Sequence, residues 1–231
     1  MIDNKRKKMI VLDTETAPLD KDFQEVNPFN MFAYDLGYAV VDKYGTVYVT
    51  RSFVITDIFL DEKECMNSAY YKNKIPHYWE DIKSGKRILT SFYNAHKQFV
   101  EDIETYGVTE IYAHNMRFDY GTLQNTQRWV TKSKYRYFFP KEVEIMDTLK
   151  LAKQLIATMP TYQKYCRDNG YMTKHKVPQP RLTAEIIYRF ITKDNEFIES
   201  HTGLEDVMIE KEILAYCYRK HKKMNGKMWA D

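Results

Sequence analysis

The prediction of the fold starts from the segment Met9-Ile10-Val11-Leu12-Asp13-Thr14-Glu15. Its four apolar residues predict a short buried strand, with Asp13 at the tip of that strand. Successive side chains of a strand alternate between two faces, so Asp13 and Glu15 are expected to point the same way. Two convergent carboxylates make a poor core and good ligands for a hard metal ion. On its own the D-x-E pattern is weak evidence, because a highly charged chain produces surface pairs of acids by chance.

The segments on the C-terminal side of this strand predict a hairpin and then a helical insertion. Residues 32–41 and 47–56 are rich in aromatic and β-branched residues, and Asp42-Lys43-Tyr44-Gly45 between them is typical of a turn. Residues 57–86 are polar and helical in character, and we interpret them as an insertion over the sheet.

Later segments alternate between strands and helices. Residues 88–106 have apolar side chains at helical spacing, and Gly107 is placed to end that helix. Residues 109–113 and 143–146 predict two more strands, and the last third is mainly helical with a loop over 169–180. This order predicts an α/β domain with a mixed sheet, an antiparallel meander followed by parallel strands, flanked by helices.

Composition and length indicate an ordinary globular protein. The 231 residues are 44% hydrophobic and 29% charged, and the formal net charge of +3 is too small to identify a partner. We expect one domain over residues 1–231, with the insertion at about 57–86 and a basic tail at about 219–231. The three cysteines are widely spaced, which argues against a disulfide framework or a zinc site and favours the cytoplasm. With no signal peptide and no apolar run near the roughly 20 residues that span a bilayer, no membrane partner is expected.

One cluster of basic residues is interleaved with aromatic rings. Its candidate strand-binding members are Arg128, Lys134, Arg136 and Tyr137. Cations that neutralise phosphates and rings that stack on bases are features of nucleic-acid surfaces. A solvated charged face is an equally good interpretation of the same residues.

Two further motifs carry acids. Asn115-x-x-Phe118-Asp119 follows a predicted strand and opens a helix, where Asn and Asp are also favoured as caps. His201 lies on the loop before an amphipathic helix, and Asp206 lies in the first turn of that helix. Either residue alone is more simply a loop histidine or an ordinary first-turn acid.

Taken in order, D-x-E, N-x-x-F-D and H-x-x-x-x-D resemble the three motifs of the DEDDh (DnaQ-like) 3′→5′ exonucleases. The resemblance runs from about residue 9 to about residue 220. The stretch from His114 to Pro140, with Met146-Asp147-Thr148-Leu149 after it, looks like phage-encoded members, for which the host cytoplasm would be the location. The resemblance implies a ribonuclease H-like fold and a hydrolase that releases nucleoside 5′-monophosphates from the 3′ end of a strand.

The resemblance also implies a two-metal site. Two divalent ions about 4 Å apart, Mg²⁺ or Mn²⁺, would stabilise the attacking and leaving oxygens. His201 would be the general base that takes a proton from the attacking water. Asp147 is more simply a helix cap than a fifth ligand. The implied metal ligands are Asp13, Glu15, Asp119 and Asp206.

Three more residues are candidates for contacts with the substrate. Thr14 and Thr16 flank the acids and are placed to touch the terminal nucleotide, although local turn hydrogen bonds explain them equally well. Asn115 is a candidate for a phosphate or sugar contact.

The leading hypothesis is a metal-dependent 3′→5′ exonuclease acting on single-stranded DNA ends, in proofreading or end processing, with a replication protein as a candidate partner. An exoribonuclease of the same superfamily has the same chemistry, since sugar choice depends on a few contacts to the 2′ position. A non-catalytic nucleic-acid-binding module is the alternative from another class. The complete set of five catalytic positions argues against that module.

Overall fold

The computed structural model describes residues 6–18, 30–131, 137–220 and 224–229. Two of the candidate strand-binding residues, Lys134 and Arg136, lie outside these ranges, as does part of the basic tail. Arg128 and Tyr137 lie within them.

In the described part of the chain, six strands form one mixed sheet. They are β1 (Lys8–Pro18), β2 (Met31–Asp42), β3 (Val47–Ile55), β4 (Ile88–Thr90), β5 (Glu110–Ala113) and β6 (Glu144–Asp147). The sheet order is β4-β3-β2-β1-β5-β6. β1, β2 and β3 pair antiparallel, β5 and β6 continue parallel to β1, and β4 is parallel to β3. The predicted meander followed by parallel strands is confirmed.

Helices cover both faces of this sheet. They are α1 (Thr56–Phe59), α2 (Lys63–Ser68), α3 (Ile75–Ser84), α4 (Phe92–Tyr106), α5 (Met116–Val130), α6 (Thr148–Gln154), α7 (Pro160–Asp168), α8 (Ala184–Thr192) and α9 (Gly203–Lys220). The side chains of β1 alternate between the two faces of the sheet, and each face packs against its own part of the hydrophobic core. Ile10 and Leu12 pack with residues of α4 and α5, whereas Met9 and Val11 pack with residues of α6, α8 and α9. No described helix has both the length and the apolar character that crossing a membrane requires.

The first strand extends farther than the sequence indicated. Asp13 was expected at its tip, but β1 continues to Pro18 and pairs with β2 along its whole length. Its pairing with β5 covers only Met9 to Val11. From Asp13 onward, the edge of β1 on the side of β5 is therefore not paired with that strand. Side chains of other elements can contact β1 there, and the candidate site lies along this edge.

The prediction of a helix over residues 88–106 was wrong at its start. Ile88 to Thr90 form β4, which pairs with the end of β3. The helix begins after Ser91, whose side chain accepts a hydrogen bond from the backbone N–H of Asn94. Its end is as predicted, because Gly107 adopts the left-handed conformation there, with φ 61°.

Candidate active site

Three carboxylates from distant parts of the chain converge at one place. Asp13 and Glu15 lie on β1, and Asp206 lies in the first turn of α9. One carboxylate oxygen from each of the three lies within 4.8 Å of the other two. Since residues two apart on a strand share a face, β1 presents both of its acids to the same helix end.

Asp119 joins this group through Thr14, the residue between the two acids of β1. Asp119 lies in the first turn of α5 and is 3% exposed. Its Oδ1 accepts hydrogen bonds from the backbone N–H of Thr14 at 3.1 Å and from the Thr14 hydroxyl at 2.8 Å. Both donors of Thr14 therefore serve to hold Asp119, which favours the local interpretation of Thr14 over a contact with the nucleotide.

The surroundings of these acids disfavour their charged forms. Burial raises the pKa of Asp13 well above its ordinary value, and the charges of Asp119 and Glu210 raise it further. Burial is also the largest cause of the raised pKa of Glu15, Asp119 and Asp206. Within the described ranges, no lysine or arginine forms an ion pair with any of the four predicted ligands. The charge of Lys74 lowers the pKa of Glu15 and Asp206, but it is a smaller cause than burial. A close set of carboxylate oxygens that is not ion-paired within the described residues fits a hard divalent metal ion.

Sequence reasoning missed a fifth acid, Glu210. It lies on α9 one turn after Asp206 and is 3% exposed. Its Oε2 accepts a hydrogen bond from the backbone N–H of His114 at 3.0 Å. Burial raises its pKa well above the ordinary value, and the charges of Asp119 and Asp206 add to that effect. The four-residue spacing from Asp206 was the available signal, because residues i and i+4 share one face of a helix.

Asp147 closes the loop that precedes α5. Its Oδ1 accepts hydrogen bonds from the backbone N–H of Leu149 at 2.8 Å and of Asn115 at 3.2 Å. The first bond is the helix cap that the sequence predicted. Asn115 itself is exposed and has a positive φ of 71°.

His201 lies beside this group rather than in it. Its φ is 51°, and its Nδ1 lies 3.7 Å from Glu199 Oε2, close to Glu185 as well. Its ring stacks on that of Tyr71, with centroids 4.7 Å apart and planes at 12°. Burial and the positive charge of Lys74 lower the pKa of His201, so the neutral imidazole that a general base requires is favoured.

The start of α9 is anchored directly on β2. A Cβ on Gly37 would lie 2.2 Å from the backbone N of Leu204, so the helix rests on the bare strand. Asp35, two residues earlier on β2, accepts a hydrogen bond from the backbone N–H of Gly203 at 3.1 Å. These contacts fix the helix turn that carries Asp206. The roles of Gly37 and Gly203 could not be predicted from the sequence, because the close approach of two backbones depends on the tertiary structure.

The remaining candidates for substrate contacts lie at different distances from the acids. Thr16 is half-buried on β1 next to the irregularity at Glu15, and Tyr137 is 69% exposed. Arg128 is exposed near the far end of α5, about 13 Å along the helix from Asp119 at roughly 1.5 Å per residue. The structure does not bring Arg128 into contact with the acids.

Comparison with protein-family models and with curated protein sequences gave no match. Solved structures do match. E. coli Exonuclease I in complex with a 5cy-dT13 oligonucleotide has a TM-score of 0.53 at 12% identity, covering 94% of this chain and 41% of that chain. Exonuclease I from Methylocaldum szegediense has a TM-score of 0.52 at 14% identity, with coverage of 94% and 41%. S. pombe Pop2p in its Mg²⁺- and Mn²⁺-bound form has a TM-score of 0.50 at 12% identity, with coverage of 92% and 83%.

These likenesses concern the fold. The chain spans about two fifths of the Exonuclease I chains that it matches. The sheet order, the direction of its strands and the flanking helices agree with the expectation from the sequence. The protein has the ribonuclease H-like fold found in these nucleases.

Proposed function

We propose that this protein is a metal-dependent 3′→5′ exonuclease that hydrolyses phosphodiester bonds at the 3′ end of single-stranded DNA. The observation that carries the proposal is the convergence of Asp13, Glu15 and Asp206, with Asp119 held beside them by Thr14. The matched nucleases support it, since Exonuclease I was solved with a DNA oligonucleotide and Pop2p with Mg²⁺ and Mn²⁺.

Each side chain has a defined task in this proposal. Asp13, Glu15, Asp119 and Asp206 would hold two divalent ions, and such ions would supply positive charge to the oxygens of the phosphate group under attack. His201 takes a proton from the attacking water. The water oxygen bonds to phosphorus, the bond from phosphorus to the 3′ oxygen of the preceding nucleotide breaks, and that oxygen takes a proton from solvent. The product is a nucleoside 5′-monophosphate.

The role in the cell is part of the same proposal. A proofreading or end-processing role, with a replication protein as partner, suits an enzyme that trims 3′ ends. The likeness of the stretch from His114 to Pro140 to phage-encoded nucleases is the ground for placing that role in an infected host's cytoplasm.

The test is degradation of a 5′-labelled single-stranded DNA oligonucleotide with Mg²⁺ or with EDTA. We expect a ladder that shortens from the 3′ end, requires the metal and leaves circular single-stranded DNA intact. A matched RNA strand in a parallel reaction separates the deoxyribonuclease from the exoribonuclease.

The variant Glu15→Gln, Asp206→Asn should abolish the ladder while the protein remains folded. Its matched control is Glu101→Gln, Asp168→Asn, which removes the charge of one exposed glutamate and one exposed aspartate from surface ion pairs with lysines. If the protein binds DNA or RNA but cleaves neither in the presence of Mg²⁺ or Mn²⁺, the result would contradict the proposed exonuclease and favour a non-catalytic nucleic-acid-binding module.

A further inference from the structure

The segment between β3 and β4, residues 56–87, reaches the active site through Tyr71 and Lys74. α2 of this segment packs on β1, the strand of Asp13 and Glu15. Burial and then the negative charge of Glu15 raise the pKa of the Tyr71 hydroxyl. Tyr71 therefore lies close enough to the acids for the charge of Glu15 to act on its hydroxyl.

Tyr71 also contacts the residue proposed as general base. The rings of Tyr71 and His201 are nearly parallel, at 12°, with centroids 4.7 Å apart. An offset stack of this kind fixes the plane of an imidazole and leaves the nitrogens at its edge free. Nδ1 is on the side of Glu199, at 3.7 Å, so Nε2 is the nitrogen left for a water.

Lys74 holds the loop that carries this histidine. Its Nζ donates a hydrogen bond to the carbonyl oxygen of Ser200 and lies 3.4 Å from that of His201. The same ammonium group lies 4.6 Å from the centroid of the Tyr71 ring. Backbone and ring of His201 are thus held by two residues three apart in one segment.

The loop needs such support. His201 is a non-glycine residue with φ 51°, a conformation that costs free energy and persists only when its surroundings impose it. A general base must be placed within about 0.5 Å of its working position to be effective. Neighbouring Ser200 also contacts Asp206, with its Oγ 3.5 Å from Oδ1, so movement of the loop would be felt at the metal ligands as well.

We propose that Tyr71 is a positioning residue for the reaction, and that it acts by stacking on His201. This inference rests on the proposed function, because it assigns the proton-accepting role to His201. It makes the insertion part of the catalytic apparatus rather than a cover over the sheet.

The first experiment measures kcat and KM on the single-stranded DNA substrate at saturating Mg²⁺. Tyr71→Ala should lower kcat about tenfold or more and change KM less than about twofold, since the substrate still binds while the base is misplaced. Tyr71→Phe retains the ring and should retain kcat. Tyr44→Ala should have no effect, because Tyr44 is 56% exposed in the β2–β3 turn, at the opposite end of β2 from Asp35.

A double-mutant cycle identifies the route of the effect. In a His201→Ala background, Tyr71→Ala should cause no further loss of kcat. An equal loss in both backgrounds would show that Tyr71 acts elsewhere, on the metal ligands or on the fold. A Tyr71→Phe variant as slow as Tyr71→Ala would assign the effect to the hydroxyl and overturn the stacking role.

A second readout does not depend on activity. A ring stacked on Tyr71 gives the His201 ring protons an upfield NMR shift, and the His201→Ala spectrum assigns them among the six histidines. That shift should disappear in Tyr71→Ala and remain in Tyr71→Phe. An unchanged shift in Tyr71→Ala contradicts the stack, whereas a wild-type protein that keeps the stack and cleaves nothing contradicts the proposed function.

Discussion

Glu210 is a single buried residue that affects the electrostatics of the candidate site. A fifth buried acid beside four others adds repulsion unless it carries a proton, and burial raises its pKa in that direction. Its Oε2 accepts a hydrogen bond from the backbone N–H of His114, so the carboxyl group of Glu210 also stabilises the loop that leads to Asp119.

We therefore expect Glu210→Gln to be tolerated. The amide oxygen can accept the same hydrogen bond, and the substitution removes a charge that the site does not need. Mg²⁺-dependent cleavage should stay within about threefold of wild type, and the unfolding free energy within about 1 kcal/mol. Glu210→Ala leaves the His114 N–H without its partner and should cost about 1–3 kcal/mol in urea denaturation. Loss of metal binding in Glu210→Gln would instead identify Glu210 as a ligand.

The acids that converge in the structure could be found from the sequence more readily than the residues that support them. Asp13, Glu15 and Asp206 stand in recognisable spacings, and the fold brings them together. Glu210 lies in an amphipathic helix pattern, where a single acid is ordinarily solvent-facing. Only the packing of α9 on the sheet turns it inward.

A buried ion pair links the elements around the site. Arg87 precedes β4, and its guanidinium donates hydrogen bonds to Asp35 on β2 at 2.9 Å and to Glu205 on α9 at 2.7 Å. Asp35, 0% exposed, also accepts hydrogen bonds from Tyr78 of α3 and from the backbone of Gly203. One cluster thus joins the insertion, the sheet and the helix of Asp206.

Removing the cation of this cluster should be costly. Arg87→Met leaves the buried carboxylate of Asp35 without its counter-charge, and we expect a loss of about 3–5 kcal/mol in unfolding free energy. Adding Asp35→Asn should recover part of that loss, because an amide oxygen still accepts from Tyr78 and Gly203. Urea denaturation of both variants measures the two effects. A double variant no more stable than Arg87→Met would show that the charge of Asp35 is not what Arg87 neutralises.

Gly37 governs how closely α9 approaches β2. A Cβ there would lie 2.2 Å from a backbone atom, and backbone cannot yield as a flexible side chain does. Gly37→Ala should cost about 1–3 kcal/mol or more and should also lower kcat, because the turn that carries Asp206 has to move.

Gly107→Ala is the matched control for that experiment. Its new Cβ meets nothing within 4 Å, but φ 61° strains an alanine by about 1–2 kcal/mol. Gly107 lies before β5, at the opposite end of that strand from His114, so kcat should be unchanged. Equal kcat in both variants would show that the position of α9 does not limit catalysis.

The elements that were predicted correctly from the sequence have strong local periodicity or contain residues that form turns or end helices. The β2–β3 hairpin and the end of α4 at Gly107 are examples. The three residues of β4 were assigned to a helix because their apolar spacing suits either structure. Their strand conformation comes from pairing with β3, a contact that no local pattern encodes.

At the scale of the whole molecule, the acids couple folding stability to pH and to metal. Burial raises the pKa of Asp119 to about 7 and that of Asp206 to about 8, with Asp13, Glu15 and Glu210 raised in the same direction. A folded state that binds protons more tightly than the unfolded state loses stability as pH rises from the ordinary values near 4 through the raised ones.

In EDTA, the unfolding temperature should therefore fall between about pH 6.5 and about pH 8.5, by about 2–4 °C for each kcal/mol lost in a chain of this size. Burial lowers the pKa of His96, His114 and His201, which makes stability rise with pH up to about pH 7 and so opposes the decline at the start of this window. Saturating Mn²⁺ should remove the decline, because the ion binds the deprotonated carboxylates. Thermal unfolding at both pH values, with and without Mn²⁺, measures it.

Asp13→Asn is the control for this prediction. It removes a carboxylate whose pKa is raised by the charges of four other acids. The metal-free variant should therefore be more stable than the wild type at the higher pH, and its stability should respond less to Mn²⁺. A metal-free wild-type protein whose stability rises across the window would contradict the electrostatic account of the site.

The order in which the chain supplies its acids has a consequence for synthesis. Asp13 and Glu15 leave the ribosome first, and Asp119 follows. Asp206 emerges only with α9, which then has to dock on Gly37 of a strand made long before. Contacts between such distant residues form late in folding. A nascent chain in which α9 has not yet docked therefore lacks Asp206 in its place, and the proposed hydrolytic activity would begin only after that helix has been made.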